Sequence, residues 1–331
     1  MRDVLPTLRE WNDDGRQFAL ATVVRTKGSA PREAGSVMGV RDDGLLCGSV
    51  SGGCIESATV AACQESLKSG EPRRLSFPQS SGEAWEVGLM CGGEVDVWID
   101  PTPVGRDPHL WKDLCSFVAQ DSACVLATRM EPFAQALQRP GDAAGCSPLD
   151  AAVVEAHRSR RSRLTDVAGE EWFLHVLAPR PRLVIVGAVH IARALVSFAK
   201  QLGFETIVID PRTAYSQFDA PPDAIIELWP QDALKDVRLD EDTYAVALSH
   251  DSKIDDVAIE LFLKAGVAYV GALGSKTTQE KRKAALRERG LTDEQLERIH
   301  GPVGLEIGAE NPEEIALSVI AEIVKVRRAR G

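Results

Sequence analysis

The chain has 331 residues, a formal charge of −11, and ordinary apolar and charged fractions of 44% and 26%, which is length enough for two domains with cores of their own. The acidic balance argues against general nucleic-acid binding, and the short basic cluster Arg158, Arg160, Arg161 and Arg163 reads as a solvated face. No apolar run suits a membrane span and the start, Met1 to Glu10, is no signal peptide, so a cytoplasmic protein is expected, with neither a membrane nor a nucleic-acid partner.

Phe18 to Thr26 is rich in β-formers and predicts a strand. Lys27-Gly28-Ser29-Ala30-Pro31-Arg32 breaks it, Ser36 to Val40 resumes extended structure, and Asp42-Asp43-Gly44 is a turn. A helix is expected from Ile55 to Leu67, stopping near Gly70. Strands follow at Val95 to Ile99 and Ala123 to Thr128. Glu131 to Leu149, rich in Pro, Gly and Ala, reads as loop. Trp172 to Leu177 is a further strand, and Pro179 and Pro181 mark the boundary between a mixed α/β domain, 1–180, and a second domain, 181–331.

Beyond that boundary strands and helices alternate. Arg182 to Val186 is an apolar strand, and Gly187 opens a helix running to about Leu202. Strands are expected at Glu205 to Ile209, Ala224 to Leu228, Tyr244 to Leu248 and Ala268 to Ala272. Ser252 to Ala265 carries apolar residues at helical spacing with Gly266 as its stop. Thr292 with Gln295 forms a capping box, and Asn311, Pro312 and Glu314 open the last helix. The alternation predicts a Rossmann-like, doubly wound parallel sheet.

All seven cysteines fall within the first 146 residues, and none has Cys-x-x-Cys spacing. Two lie in glycine-rich settings, Ser51-Gly52-Gly53-Cys54-Ile55-Glu56 and Cys91-Gly92-Gly93-Glu94. A thiol at a helix start ionises more readily, and amides there bind anions, so the first segment reads as a thiolate beside an anion site. The alternative is that both cysteines are small buried hydrophobes. In the second domain, Gly187-Ala188-Val189-His190 stands where a phosphate loop belongs and Asp210 where a ribose-binding acid belongs. Val189 replaces the glycine that lets a pyrophosphate approach the backbone. Ser249 and His250 follow the next central strand, at the ligand-binding edge of such sheets.

Together these residues resemble the xanthine dehydrogenase accessory protein family, XdhC/CoxI. The resemblance is carried by Arg25 to Arg32, Gly44 to Glu56, Cys91-Gly92-Gly93, Leu183 to Ala192, Tyr269 to Lys276, and Gly301 to Leu305 on through Ile323. It implies a maturation factor that transiently binds the molybdenum cofactor, as molybdopterin or its dinucleotide form. Such a factor assists sulfuration by a cysteine desulfurase and passes the cofactor to an apo molybdenum hydroxylase. The family usually has Gly-Ala-Gly-His where Val189 departs, which disfavours NAD(P). On this reading Cys54 contacts molybdenum or carries sulfur, with Cys91 as second thiol. Arg25, Lys27, Ser29 and Arg32 hold the phosphate or pterin, or form a solvated turn. Ser51, Gly52, Gly53, Glu56, Gly92 and Gly93 complete that site. Gly187, His190, Asp210, Ser249 and His250 receive a nucleotide end. A homodimer is expected. The rival readings are an NAD(P)-dependent oxidoreductase using the second domain, with His250 as acid or base, and a redox sensor using Cys54 and Cys91.

Overall fold

A computed structural model describes residues 1–78, 93–142, 147–212 and 218–330. The chain forms two compact units, Met1–Pro179 and Arg180–Gly331.

The first unit contains α1 (Leu5–Asp13), β1 (Phe18–Lys27), β2 (Val37–Arg41), β3 (Leu46–Gly48), α2 (Glu56–Ser69), β4 (Arg73–Phe77), β5 (Glu94–Asp100), α3 (Pro108–Ala119), β6 (Cys124–Arg129), β7 (Ala134–Gln138), α4 (Pro148–Ser159), β8 (Arg163–Val167) and β9 (Glu170–Leu177). Two antiparallel sheets result, ordered β3-β2-β1-β5-β4 and β7-β6-β9-β8. β1 shows how the sequence builds the layers. Ala19, Ala21 and Val23 pack in one cluster with Ala62 and Cys63 of α2, while Phe18 and Leu20 pack in another with Cys124, Leu126 and Leu177. That alternation is the period-two rule of a strand buried on both faces. A register shift between Val23 and Arg25 interrupts the pairing of β1 with β5, which resumes from Arg25 with Asp96 to Lys27 with Glu94.

The stretch from Glu131 to Leu149 is not all loop. β7 lies inside it and pairs with β6, and α4 starts at Pro148 behind a Ser147–Asp150 capping box. Pro132 and Pro140 flank β7, and its position at the sheet edge leaves it only half-buried, so the apolar alternation of a strand is weak there.

The second unit contains β10 (Arg182–Val186), α5 (His190–Gln201), β11 (Glu205–Ile209), β12 (Ala224–Ile226), α6 (Pro230–Ala233), β13 (Thr243–Ala247), α7 (Ser252–Ala265), β14 (Tyr269–Ala272), α8 (Lys276–Glu288), α9 (Asp293–Glu297), β15 (Ile299–His300) and α10 (Pro312–Arg330). All six strands are parallel, in the order β12-β11-β10-β13-β14-β15. This is the doubly wound order, which reverses between β10 and β13. Leu183 and Ile185 pack against α5 and α10 on one face; Val184 and Val186 pack against α7 on the other. Each of these fully buried side chains contributes about 2 kcal/mol of apolar transfer. β12 stops at Ile226, short of Leu228, and the chain turns at Pro230 into α6, with Leu228 and Trp229 exposed between them.

Candidate functional site

The strand ends of the five-stranded sheet bring the motifs of the first unit to one edge. Thr22 pairs with Val37 and Met38 with Gly48, so β3 ends where β2 begins. Lys27 pairs with Glu94, so β1 ends where β5 begins. The Lys27–Arg32 loop, the Ser49–Ile55 loop and Gly93 therefore share an edge. Gly93 is held so tightly that a Cβ there would stand 2.5 Å from the carbonyl oxygen of Ser29. Ala30 and Ile55 pack in one apolar cluster, which joins the other two loops. Cys91 and Gly92 lie outside the described residues.

Within the Ser49–Ile55 loop, Glu56 is the hub. The amides of Ser51 and Gly52 donate to its Oε1 at 2.9 and 2.8 Å, and the amide of Gly53 to its Oε2 at 2.8 Å. The hydroxyls of Ser49 and Ser51 donate to the same carboxylate. Partial burial opposes ionisation, but these donors outweigh it and hold the carboxyl well below its ordinary range. Ser51 Oγ in turn accepts from the amides of Cys54 and Ile55 at 3.1 and 3.2 Å. Gly52 and Gly53 adopt φ of 102° and 129°, a region open to glycine and strained for other residues.

Two expectations change accordingly. The loop amides expected to bind an external anion are already committed to Glu56, and Glu56 itself is committed to the loop rather than free for a pterin. The helix also begins later than expected. Ile55 is its N-cap, so Cys54 stands two residues ahead of the first helical residue. The Cys54 thiol is exposed and free, whereas Cys63 and Cys124 are fully buried, and burial pushes their thiols up to about 12 and about 11.

The cations beside the loop differ in freedom. Arg25 is anchored through Nε to the buried carboxylate of Asp96 at 2.8 Å. Lys27 is three-quarters exposed and meets Glu94 only at 3.3 Å. Arg32 is exposed and has no hydrogen bond or ion pair among the described residues, and Ser29 is exposed beside it. Among the described residues, the edge thus offers a ligand the exposed Cys54 thiol, the unpaired Arg32 and the largely exposed Lys27. Among the described residues, no group of three or more His, Cys, Asp or Glu is placed to hold a metal ion by itself.

In the second unit Gly187 sits at φ 105°, and a Cβ there would stand 2.6 Å from the amide nitrogen of Ser249. Glycine at 187 therefore serves the contact between β10 and β13. It does not open the helix, which starts at His190 behind Val189. Asp210 is buried and accepts from the Ala188 amide at 2.8 Å, from the Arg212 amide at 2.9 Å, and from the Arg212 guanidinium through Nε and one terminal nitrogen at 2.8 Å each. Burial opposes its ionisation; Arg212 and the two amides outweigh that and hold it low. Ser249 is buried and donates through its amide and hydroxyl to Asp255 at 3.0 and 2.7 Å. His190 and His250 are exposed, with His250 at φ 63°. The structure thus brings Gly187, Asp210 and Ser249 to one sheet edge as internal framework and leaves the two histidines on its surface. Sequence reasoning missed Ser49 and Arg212. The signal available for both was a polar side chain beside a carboxylate that needs donors: Ser49 before the Gly pair, Arg212 two residues after Asp210.

Residues 183–323 match a family model described as the XdhC Rossmann domain, and residues 11–78 match one described as the XdhC and CoxI family. The chain is 26% identical over 329 residues to a Bacillus subtilis protein described as a probable xanthine dehydrogenase subunit, covering 96% of this chain and 95% of that one. It is 29% identical over 318 residues to the molybdenum cofactor insertion chaperone PaoD of Escherichia coli, covering 95% and 84% of the two. A crystal structure described as a xanthine dehydrogenase from Bacillus halodurans has the same fold, with a TM-score of 0.77 over 99% of this chain and 96% of that one at 24% identity. Among the described residues no helix is long and apolar enough to cross a membrane.

Proposed function

The chain belongs to the XdhC and CoxI family, and from that premise we propose that it is a molybdenum cofactor insertion chaperone for hydroxylases of the xanthine dehydrogenase type. The cofactor, as molybdopterin or its dinucleotide form, is cargo, held transiently at the sheet edge of the first unit. The observation that carries this reading is the exposed Cys54 thiol on a loop pinned by Glu56, at the same sheet edge as the loop that carries Lys27 and Arg32. A soft thiolate suits a molybdenum–sulfur centre, and the two cations suit the cargo's anionic end. Because Glu56 satisfies the loop internally, the loop is rigid before cargo arrives, and the thiol rather than the backbone makes the contact. A cysteine desulfurase supplies sulfur, an apo molybdenum hydroxylase receives the cofactor, the chaperone works as a homodimer, and all of this takes place in the cytoplasm.

The rival reading, a nicotinamide-dependent oxidoreductase, would use the second unit. Val189 packs against that unit's core, and Asp210 is occupied by Arg212 and the Ala188 amide, so neither the pyrophosphate nor the ribose meets the usual partners there. The test is purification of the full chain, without oxygen, from cells that make the cofactor, followed by assay of molybdenum and pterin. Retention close to one of each per chain is expected. Absence of both, with apo protein that also fails to bind added reduced cofactor, overturns the proposal.

A further inference from the structure

We propose that a cleft in the first unit, distinct from the Cys54 loop, binds the phosphate of a small phosphorylated organic molecule through Arg163 and Arg25. The cleft has a volume of about 500 Å³ and lies between the end of β1 and the edge strand β8, lined by Arg25, Thr26, Ser162, Arg163 and Thr165 among others. Of the acids in and behind its wall, Glu171 and Asp96 are paired with arginines, and Asp166 is exposed and holds a backbone amide. Glu171 takes Arg74 at 2.8 Å, and Asp96 behind the cleft takes Arg74 at 2.7 Å and Arg25 at 2.8 Å. Asp166 accepts the Gly169 amide at 3.0 Å. Arg163 is the exception. Its Nε is buried without an acceptor, and the guanidinium forms no ion pair among the described residues.

A buried guanidinium N–H left unpaired is costly and marks a place where an acceptor is missing. The planar fork of Arg suits a phosphate, which can take two of its N–H groups at once. Arg25 is fixed through Nε by Asp96, which sets its guanidinium in place at the cleft wall. Ser162 Oγ accepts from the Val176 amide at 3.0 Å, so its own proton remains available to a ligand. The volume is several times that of a phosphate group and falls in the usual range of small-molecule sites, about 300–1,000 Å³, so the ligand carries an organic body.

Arg25 and Thr26 line the cleft, and the Lys27–Arg32 loop that follows them reaches the Cys54 edge, with Ala30 packed beside Ile55 and Ala34 lining the cleft. The inference rests on the proposed function only for which molecule binds. Two sources share the chemistry: the phosphate end of the cofactor and a free nucleotide.

The test is equilibrium binding to the full chain of a nucleoside monophosphate, the matching nucleoside and reduced cofactor. Wild type, Arg163→Gln, Arg163→Lys and Cys54→Ser are compared, with thermal melting as the check on folding. The expected result is that Arg163→Gln weakens a phosphorylated probe by about tenfold or more, or 1.4 kcal/mol. Arg163→Lys, which keeps the charge but not the fork, should recover only a minor part of that loss, the nucleoside should be insensitive to all variants, and Cys54→Ser should leave the monophosphate within about twofold of wild type. Loss confined to the cofactor identifies the cofactor as the ligand; loss confined to the monophosphate identifies a nucleotide. Folded Arg163→Gln that binds both probes as wild type does overturns the cleft and leaves the chaperone standing. Wild type that binds the monophosphate through Arg163 but no cofactor supports the cleft and overturns the chaperone. Thr165→Val, which removes one hydroxyl from the wall, is a second probe, expected to weaken the phosphorylated ligand by about threefold.

Discussion

The loop around Cys54 and the loop around Gly187 each join a strand to a helix through glycine at positive φ, and each turns amides onto a carboxylate of its own unit. In the first, the carboxylate is Glu56, only a few residues on, half-buried and fed by five donors. In the second it is Asp210, 22 positions away, buried and locked again by Arg212. Both loops therefore look like open anion cradles in sequence, and in the folded chain the first has its Ser51, Gly52 and Gly53 amides on Glu56 while the second gives its Ala188 amide to Asp210. The difference lies in what remains. The first loop leaves an exposed thiol at the sheet edge it shares with the Lys27–Arg32 loop, whereas the second leaves a surface histidine at a helix start. Glycines report how the backbone turns; the unpaired side chains report what the loop can hold.

The largest expected effect tests that asymmetry directly. Cys54→Ser keeps the size of the side chain and removes the soft ligand, and it should weaken retention of reduced cofactor by at least about tenfold. His190→Ala should change retention by less than about twofold. Cys115→Ser and Cys124→Ser should leave client activation intact, although Cys124→Ser places a hydroxyl in a fully buried site and should cost about 1–3 kcal/mol of stability. Equal retention by Cys54→Ser and wild type would remove the first loop from the mechanism.

Stability separates the two carboxylates. Asp210→Ala leaves the Ala188 amide without its acceptor in a buried site and removes the carboxylate that holds the Arg212 guanidinium and amide, and a loss of about 3 kcal/mol is expected in urea unfolding. Glu56→Ala strands donors that water can reach, since Gly52 and Gly53 are exposed, so the loss should be smaller, about 2 kcal/mol. A loss from Glu56→Ala at least as large as that from Asp210→Ala would reverse the comparison. The pH dependence follows from the direction of the Glu56 shift. Its folded carboxyl lies below the ordinary value of 4.5, so its contribution is present above about pH 4.5 and is lost as pH falls from there toward the folded value. Glu56→Gln should flatten that part of the stability–pH curve; an unchanged acid limb would show that other carboxylates set it.

The two units were also unequally legible. The strands of the second unit are continuous apolar runs because helices cover both faces, so Arg182 to Val186 and Glu205 to Ile209 declare themselves. Ser252 to Ala265 does so by its apolar spacing and its Gly266 stop. α8 does not, because its buried residues are Gln279, Arg282 and Leu286, two of them polar. Gln279 bonds the carbonyls of Ala272 and Gly274, and Arg282 pairs with Asp256, contacts that no hydrophobic period reveals. In the first unit β7 hides between prolines, as its pairing with β6 rather than its own composition makes it a strand. At the site, the residues gathered at the sheet edge could be named from their motifs. The commitment of Glu56 could not, since it depends on the loop's fold returning five donors to one side chain.

The smallest effect concerns Val189, and it decides whether the second loop is silent for one reason or for two. If the branched side chain alone bars a dinucleotide, Val189→Gly should restore NAD or NADP binding. The structure gives a second bar in Asp210, whose two oxygens are taken by Arg212 and the Ala188 amide and are not free for ribose hydroxyls. Val189 is the N-cap of α5 with ordinary extended dihedrals, φ −91° and ψ 174°, so glycine is not required there and its added freedom should cost about 0.5–1 kcal/mol. Calorimetric titration of Val189→Gly with both nucleotides should therefore show dissociation constants no tighter than about 100 μM, close to wild type. Binding near about 1 μM in the variant would make Val189 the sole obstacle and the Asp210–Arg212 pair readily opened. Binding that tight in the wild type would promote the rival oxidoreductase reading over the chaperone.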